Sequence, residues 1–164
     1  MSLPNDLNTR RYRSYNDRGN SLTSISVEDP EFLSRQLQTS VTFVAGTTGT
    51  DAAHALLTVT GVVALSIFGV CGTNLAGSSA TLEVGTAVTT AGLIAQTTGT
   101  DIDATEIWHD ASPDASVELT SIVTKNIVSA DVIYTVDTAA MSAGEITFYV
   151  FWEPISSDGN VVVA

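Results

Sequence analysis

The side chains able to do chemistry are few in this chain of 164 residues, and their spacing is loose. His54, His109 and Cys71 are its only imidazole and thiol groups, and none lies in a His-x-x-x-His, Cys-x-x-Cys or Gly-x-Ser-x-Gly context. A zinc centre takes three or four N or S ligands in a tetrahedral array, so no metal site is assigned to them. Lys125 stands alone, and the glycine-rich stretches match neither Gly-x-Gly-x-x-Gly nor Gly-x-x-x-x-Gly-Lys, so no loop is built to cradle phosphate. Any serine can be grouped with a histidine and an aspartate on paper. Such triads are defined by geometry rather than by order, so those combinations carry no information.

Two acidic patterns have a sharper chemical meaning. Asp101-Ile-Asp103-Ala-Thr-Glu106-Ile-Trp-His109-Asp110-Ala-Ser-Pro-Asp114 offers hard oxygen ligands to calcium, but it lacks the glycine and terminal glutamate of an EF-hand loop. Asp, Ser and Pro are turn formers, and a solvated acidic loop with Asx-turns is the preferred interpretation. Glu106, Glu118, Glu145 and Glu153 lie on or beside apolar runs and could supply paired carboxylates for glycoside hydrolysis. Such enzymes want an aromatic-lined groove, and only 7% of the residues are aromatic. Cys71 has no basic neighbour to lower its pKa and reads as a buried structural thiol in a fold without disulfides. The chain is therefore expected to be no enzyme, with no catalytic residue, no cofactor and no metal.

Charge separates the chain into two unlike pieces. The net charge is −12, yet Arg10, Arg11, Arg13, Arg18 and Arg35 all fall in the first 35 residues, and Lys125 is the only basic residue after them. A body this anionic repels phosphate, so neither nucleic acid nor an anionic membrane is expected as a partner. The most apolar stretch, residues 61–71, is about half a bilayer span and is punctuated by glycine, so no transmembrane helix is expected. The polar first twenty residues carry no apolar signal-peptide core, so synthesis inside the cell is expected.

Residues 1–27 show no sustained period of 2 or 3.6 and few large aliphatics, so they cannot offset their own ordering entropy. They read as an arm that orders on a partner. Arg10, Arg11, Tyr12, Arg13, Tyr15 and Arg18 give it forked donors and flat rings, the groups enriched at protein interfaces. Asp29-Pro30-Glu31 ahead of Phe32, Leu33 and Leu37 predicts an N-cap, a proline at the first helical position and a short helix over residues 30–38. The domains are accordingly an arm with its helix, 1–38, and a body, 39–164.

The body is rich in Thr, Val and Ile, whose branched β-carbons restrict the side chain in a helix and suit a pleated strand. Its short apolar runs alternate with Gly, Ser, Asn and Asp clusters, and the fold class predicted is an all-β antiparallel sandwich, jelly-roll-like. Strands are expected over 40–45, 54–60, 62–70, 80–84, 92–96, 106–109, 116–123, 126–129, 132–136 and 145–152. Thr47-Thr-Gly-Thr-Asp51 recurs as Thr97-Thr-Gly-Thr-Asp101, marking equivalent corners of two Greek keys or a coincidence of a Thr/Gly-rich composition. In the last long strand Ile146, Phe148, Val150 and Trp152 share one face and Thr147, Tyr149 and Phe151 the other. Neither face is polar, which predicts a homo-oligomer with Tyr149, Phe151 and Trp152 at its interface.

The stretch Thr97 to Asp110, the Ser112-Pro-Asp-Ala-Ser116 turn and the ending Phe148-Tyr-Val-Phe-Trp-Glu-Pro-Ile-Ser-Ser-Asp-Gly-Asn-Val161 resemble small structural proteins of tailed-bacteriophage virions. More loosely they resemble capsid cement, or decoration, proteins. The resemblance covers about residues 50–164 and implies a jelly-roll-like sandwich assembled as trimers on the outer surface of the icosahedral head after synthesis in the host cytoplasm. It implies that a terminal extension grips the major capsid protein, a role that falls here to the arm. The alternative is a receptor- or glycan-binding sandwich at a tail tip or the base of a fibre, for which Trp108 is the one loop-proximal aromatic.

Overall fold

The computed structural model describes residues 35–115, 117 and 125–164. The chain divides into units Met1–Leu33 and Ser34–Ala164, and the described residues all belong to the second. The expected arm, residues 30–34 of the expected helix, and all but Val117 of the expected strand over 116–123 lie outside them.

Strands dominate, as the β-branched composition requires. They are β1 (Arg35–Thr42), β2 (Ala52–Thr60), β3 (Val63–Ala76), β4 (Thr81–Thr86), β5 (Ile94–Thr98), β6 (Glu106–Trp108), β7 (Asp114–Ala115), β8 (Asn126–Val128), β9 (Val132–Asp137), β10 (Ala143–Pro154) and β11 (Asn160–Val163), with one 3-10 turn at Gly99–Asp101. They form a six-stranded sheet in the order β1-β10-β3-β6-β7, with β8 also on β3, and a five-stranded sheet in the order β11-β2-β9-β4-β5. Every pairing is antiparallel.

The pairings nest. β1 meets β10, β2 meets β9, β3 meets both β6 and β8, and β4 meets β5, so the chain behaves as one long hairpin folded at β4–β5. The β10–β3 and β9–β4 ladders then roll that hairpin into two sheets. This is the jelly-roll wrapping. β6 and β8 occupy successive stretches beside the 14-residue β3, at Gly69–Val70 and at Val63–Leu65, and so share one strand position.

One expectation is corrected. Residues 35–38 are strand rather than the end of a helix, because β1 pairs with β10 over eight consecutive residues without a shift. Its burial alternates with period two, Leu37, Thr39 and Val41 turning inward and Gln36, Gln38 and Ser40 outward. A ladder of this length outweighs a local capping signal, which biases the backbone by only about 1 kcal/mol. β7 and β11 were not expected either; each is too short to show a period of its own, and β11 exists by pairing with β2.

The core lies between the sheets. Ile146, Phe148 and Val150 of β10 and Val63 and Leu65 of β3 are fully enclosed, facing Leu57, Leu82, Val84, Val132 and Val136 from the second sheet. Trp108 is the largest side chain in this interior and pairs in register with Gly69. A Cβ on Gly69 would sit 2.7 Å from Ile146 Cγ2 and 3.5 Å from the Trp108 ring, so the missing side chain gives the indole its space. The indole N–H donates to Thr97 Oγ1 at 2.8 Å, and that hydroxyl reaches the carbonyl oxygens of Ala95 and Asp110, each at 3.1 Å. One buried hydrogen bond thus ties the two sheets together.

The duplicated pentapeptides both form corners between the sheets. Thr47–Asp51 lies in the β1-to-β2 crossing and Thr97–Asp101 in the β5-to-β6 crossing, although the first is a turn and the second runs from strand into the 3-10 turn. Their central glycines meet the same residue. A Cβ on Gly49 would overlap the Met141 carbonyl, and one on Gly99 would lie 2.6 Å from Met141 Cε. Met141 is fully buried, its N–H donates to Gly49 O at 2.8 Å, and Gly99 N–H donates to Ala80 O at 2.8 Å.

Replacing Thr97 with valine keeps the volume and removes the acceptor, leaving a buried indole N–H unpaired. Chemical denaturation should show a loss of about 1–3 kcal/mol. Gly49→Ala should cost a similar amount by displacing the Met141 carbonyl, about 1–3 kcal/mol, whereas Gly46→Ala, with open space around it, has only its positive φ to resist it.

Candidate interaction surface

The outer face of the six-stranded sheet is built from the alternate residues of the strands that make the core. Ile67, Gly69 and Cys71 of β3 turn inward, so Phe68 and Val70 turn outward; on β10 the outward set is Thr147, Tyr149 and Phe151. Register places Tyr149 opposite Phe68, and their rings stack at 5.3 Å with planes 17° apart. Phe151 lies 6.3 Å from Phe68 at 21°, completing a three-ring band. Aromatic pairs of this geometry contribute about 0.5–1.5 kcal/mol beyond their buried area. Val70 opposite Ile107, and Ala64 opposite Ile127, extend the apolar surface onto β6 and β8. Phe151 is 38% exposed and Ile127 68%, so the band remains open to a partner.

Polar groups frame it. Glu153 pairs with Lys125 at 3.0 Å at one end of β10. At the other, Ser40 and Thr147 share a 2.8 Å hydrogen bond and Thr42 donates to Glu145 Oε2 at 3.4 Å. An apolar centre with a polar rim is the anatomy of a protein interface.

Of the three expected interface residues, Tyr149 and Phe151 stand in this band. Trp152 does not: it is 4% exposed, on the inner face with Phe148 and Val150, because the strand alternates with period two. The Arg35 guanidinium covers its ring at 4.8 Å from the centroid, a cation–π contact that closes the edge of the core. Phe68, whose run Ile67-Phe68 is apolar on both sides but which was not among the expected interface residues, takes the place assigned to Trp152. Its signal was the same alternation read along residues 63–71, where Phe68 is the one large outward side chain. Arg10, Arg11, Tyr12, Arg13, Tyr15 and Arg18 lie outside the described residues.

Several groups with chemical potential among the described residues have structural partners. His54 stacks on Tyr134 at 4.8 Å, with Nε2 3.0 Å from Thr50 O and 3.2 Å from Thr50 Oγ1. His109 Nδ1 lies 3.8 Å from Asp110 Oδ2. Among the described residues no three His, Cys, Asp or Glu side chains converge as metal ligands. In the acidic stretch the Asp103 N–H donates to Glu106 Oε2 at 2.8 Å, and the Ser112 N–H to Asp110 Oδ1 at 2.7 Å, an Asx-turn. Glu145 and Glu153 stand eight residues apart on one strand, ~27 Å, far beyond the separation at which two carboxylates flank one glycosidic bond. Trp108, the ring the glycan alternative needs, is fully enclosed. A groove of ≈ 410 Å³ opens between residues 85–93 and 126–130, and none of its lining residues ionises, so it has no group with which to move a proton.

Cys71 Sγ is directed at the carbonyl oxygens of Thr73, 3.2 Å, and Ile102, 3.6 Å. Burial pushes its pKa from the ordinary 9.0 up to about 11, against a lowering effect of the Thr73 backbone and with Glu106 and Asp103 adding to the rise. Burial likewise raises Tyr134 from 10.0 to about 12. Both groups keep their protons in the fold after the unfolded chain has lost them, so their stabilisation is intact below the ordinary values and is lost as pH climbs. Melting temperature should fall between pH 9 and about 11 on account of Cys71 and on towards about 12 on account of Tyr134. A thiol-specific reagent at neutral pH should label Cys71 only after denaturation. Fast labelling of the native chain would contradict this burial.

Compared with protein-family models, with curated proteins and with solved structures, the chain finds no match.

Proposed function

We propose that this chain is a structural virion protein, a capsid cement or head-decoration subunit whose body associates with copies of itself on the outer surface of the head and whose arm grips the major capsid protein. The observation that carries this is the three-ring band of Phe68, Tyr149 and Phe151 on an otherwise acidic body. Half-buried stacked rings on a sheet face supply binding area without chemistry, as a scaffold subunit needs. The jelly roll supports it by analogy of fold, since viral shell domains use the same wrapping, as do lectins and cupins. A net charge of −12 favours the outside of a DNA-filled shell over its inside.

In this reading the arm orders when it meets the shell, and linkage through the oligomer multiplies weak arm contacts into lasting attachment. Removing residues 1–27 should leave a folded, associating body that no longer binds purified heads. Undiminished binding by that truncation removes the role given to Arg10–Arg18. Independently, Phe68→Ser with Tyr149→Ser should shift sedimentation toward a smaller species while the far-ultraviolet circular dichroism stays that of a β-sandwich. Each ring is only partly buried, so its loss from the free subunit should weigh less than its loss from the contact. Immunogold labelling of virions separates head placement from the tail alternative.

A further inference from the structure

The sheets have five edge strands among the described residues, and four carry a feature that discourages pairing. β11 has four residues, β8 has three, β7 has two, and β5 has five and meets β4 through a register shift. Shortness and bulges are the usual protections of an edge, together with charge and proline. β1 has none of these between Gln36 and Thr42. It is eight residues long and pairs with β10 in one unbroken register, and Gln-Leu-Gln-Thr-Ser-Val-Thr carries no charge, proline or glycine. Among the described residues its far side therefore presents a row of N–H and C=O groups that another strand can satisfy in place of water.

We propose that this edge pairs with the β1 edge of a second copy, antiparallel across a twofold axis. The strand is self-complementary in this arrangement. With Thr39 on the axis, Leu37 falls opposite Val41 of the second copy on the core side, while Gln38 meets Ser40 and Gln36 meets Thr42 on the outer side. Arg35 then stays outside the ladder, free to remain over Trp152. With Gln38 on the axis instead, Leu37 would face Thr39 and Arg35 would be drawn opposite Val41, which separates the apolar pair. The net charge of −12 opposes the approach of a sibling, and a stretch that holds no ionised group is where that opposition is least, so self-complementary pairing decides the occupant.

The pairing joins two six-stranded sheets into one. The two β10 strands then lie three strand spacings apart, ~14 Å, and both ring bands lie on the same side of the joined sheet. An isologous contact of this kind gives an even number of copies, so a threefold assembly containing it holds pairs. The proposal does not rest on the virion reading, because its readout is the free protein in solution.

The test uses the full chain. Sedimentation should show an even-numbered species at micromolar concentration, and Gln38→Cys with Ser40→Cys should yield a covalent dimer on mild oxidation. Gln36→Cys with Ser40→Cys, which reports the slipped register, should not. Gln38→Lys with Ser40→Lys places like charges opposite each other twice and should weaken association by about tenfold, with circular dichroism unchanged because both positions are exposed. The cross-link should persist when Phe68 and Tyr149 are both serine, which separates this contact from the aromatic one. A monomer or an odd-numbered species, a lysine variant that associates like the wild type, or a cross-link formed by the slipped pair overturns the proposal.

Discussion

The β3–β10 ladder is the constraint from which the rest follows. Eleven register pairs between Ala143 and Pro154 hold two long strands side by side at the centre of one sheet, and each residue's parity on that ladder decides whether it serves the inside or the outside. Inward parity assembles Ile146, Phe148, Val150 and Trp152 against the second sheet; outward parity lines up Tyr149 and Phe151 with Phe68. Core and contact surface are thus two faces of one pairing, and a slip of one residue would exchange them, sending the rings inward and the aliphatics to water. The irregularities in the ladder fall at Ala143–Ile146, at its beginning, so the stretch that carries both faces is undisturbed.

Trp108 closes that arrangement from the side. The indole lies over Gly69 in the middle of β3 and reaches the other sheet through its bond to Thr97. An apolar side chain of the same bulk would fill the space but could not fix the distance between sheets, and a buried polar pair with both partners satisfied is what specifies one packing. Met141 does the analogous work at one end, where the two crossings from sheet to sheet press their glycines against it. The repeated Thr-Thr-Gly-Thr-Asp therefore shares a location and a partner, while its two backbones differ.

Local pattern made much of this legible. Alternation in residues 145–152 gave the right two faces, the β-branched composition gave the fold class, and the isolation of Cys71 gave a buried thiol. What sequence misjudged were elements whose existence depends on distant partners. Asp29-Pro30-Glu31 is a sound helix signal, yet residues 35–38 are claimed by a ladder to residues more than a hundred positions away. β11 forms because β2 offers it an edge. The apolar character of both faces placed Trp152 at the interface, although its own parity, shared with Val150, already put it inside. The nested order of the roll is a property of long-range pairing alone, and no window of sequence contains it.

Charge and surface chemistry divide the body in a way that bears on how copies meet. Beyond Arg35 a single lysine faces thirteen carboxylates, and that lysine is held by Glu153 at the end of the ring band. Two such bodies repel at long range, with a reach of about 8 Å at physiological ionic strength, so attraction has to come from surfaces that approach within van der Waals contact and carry no charge themselves. The ring band and the β1 edge meet that condition, and they adjoin, since Gln38 is the register partner of Tyr149 and Gln36 of Phe151. In the proposed association, long-range repulsion combines with short-range uncharged contact, so copies meet only where concentration or a surface brings these stretches together.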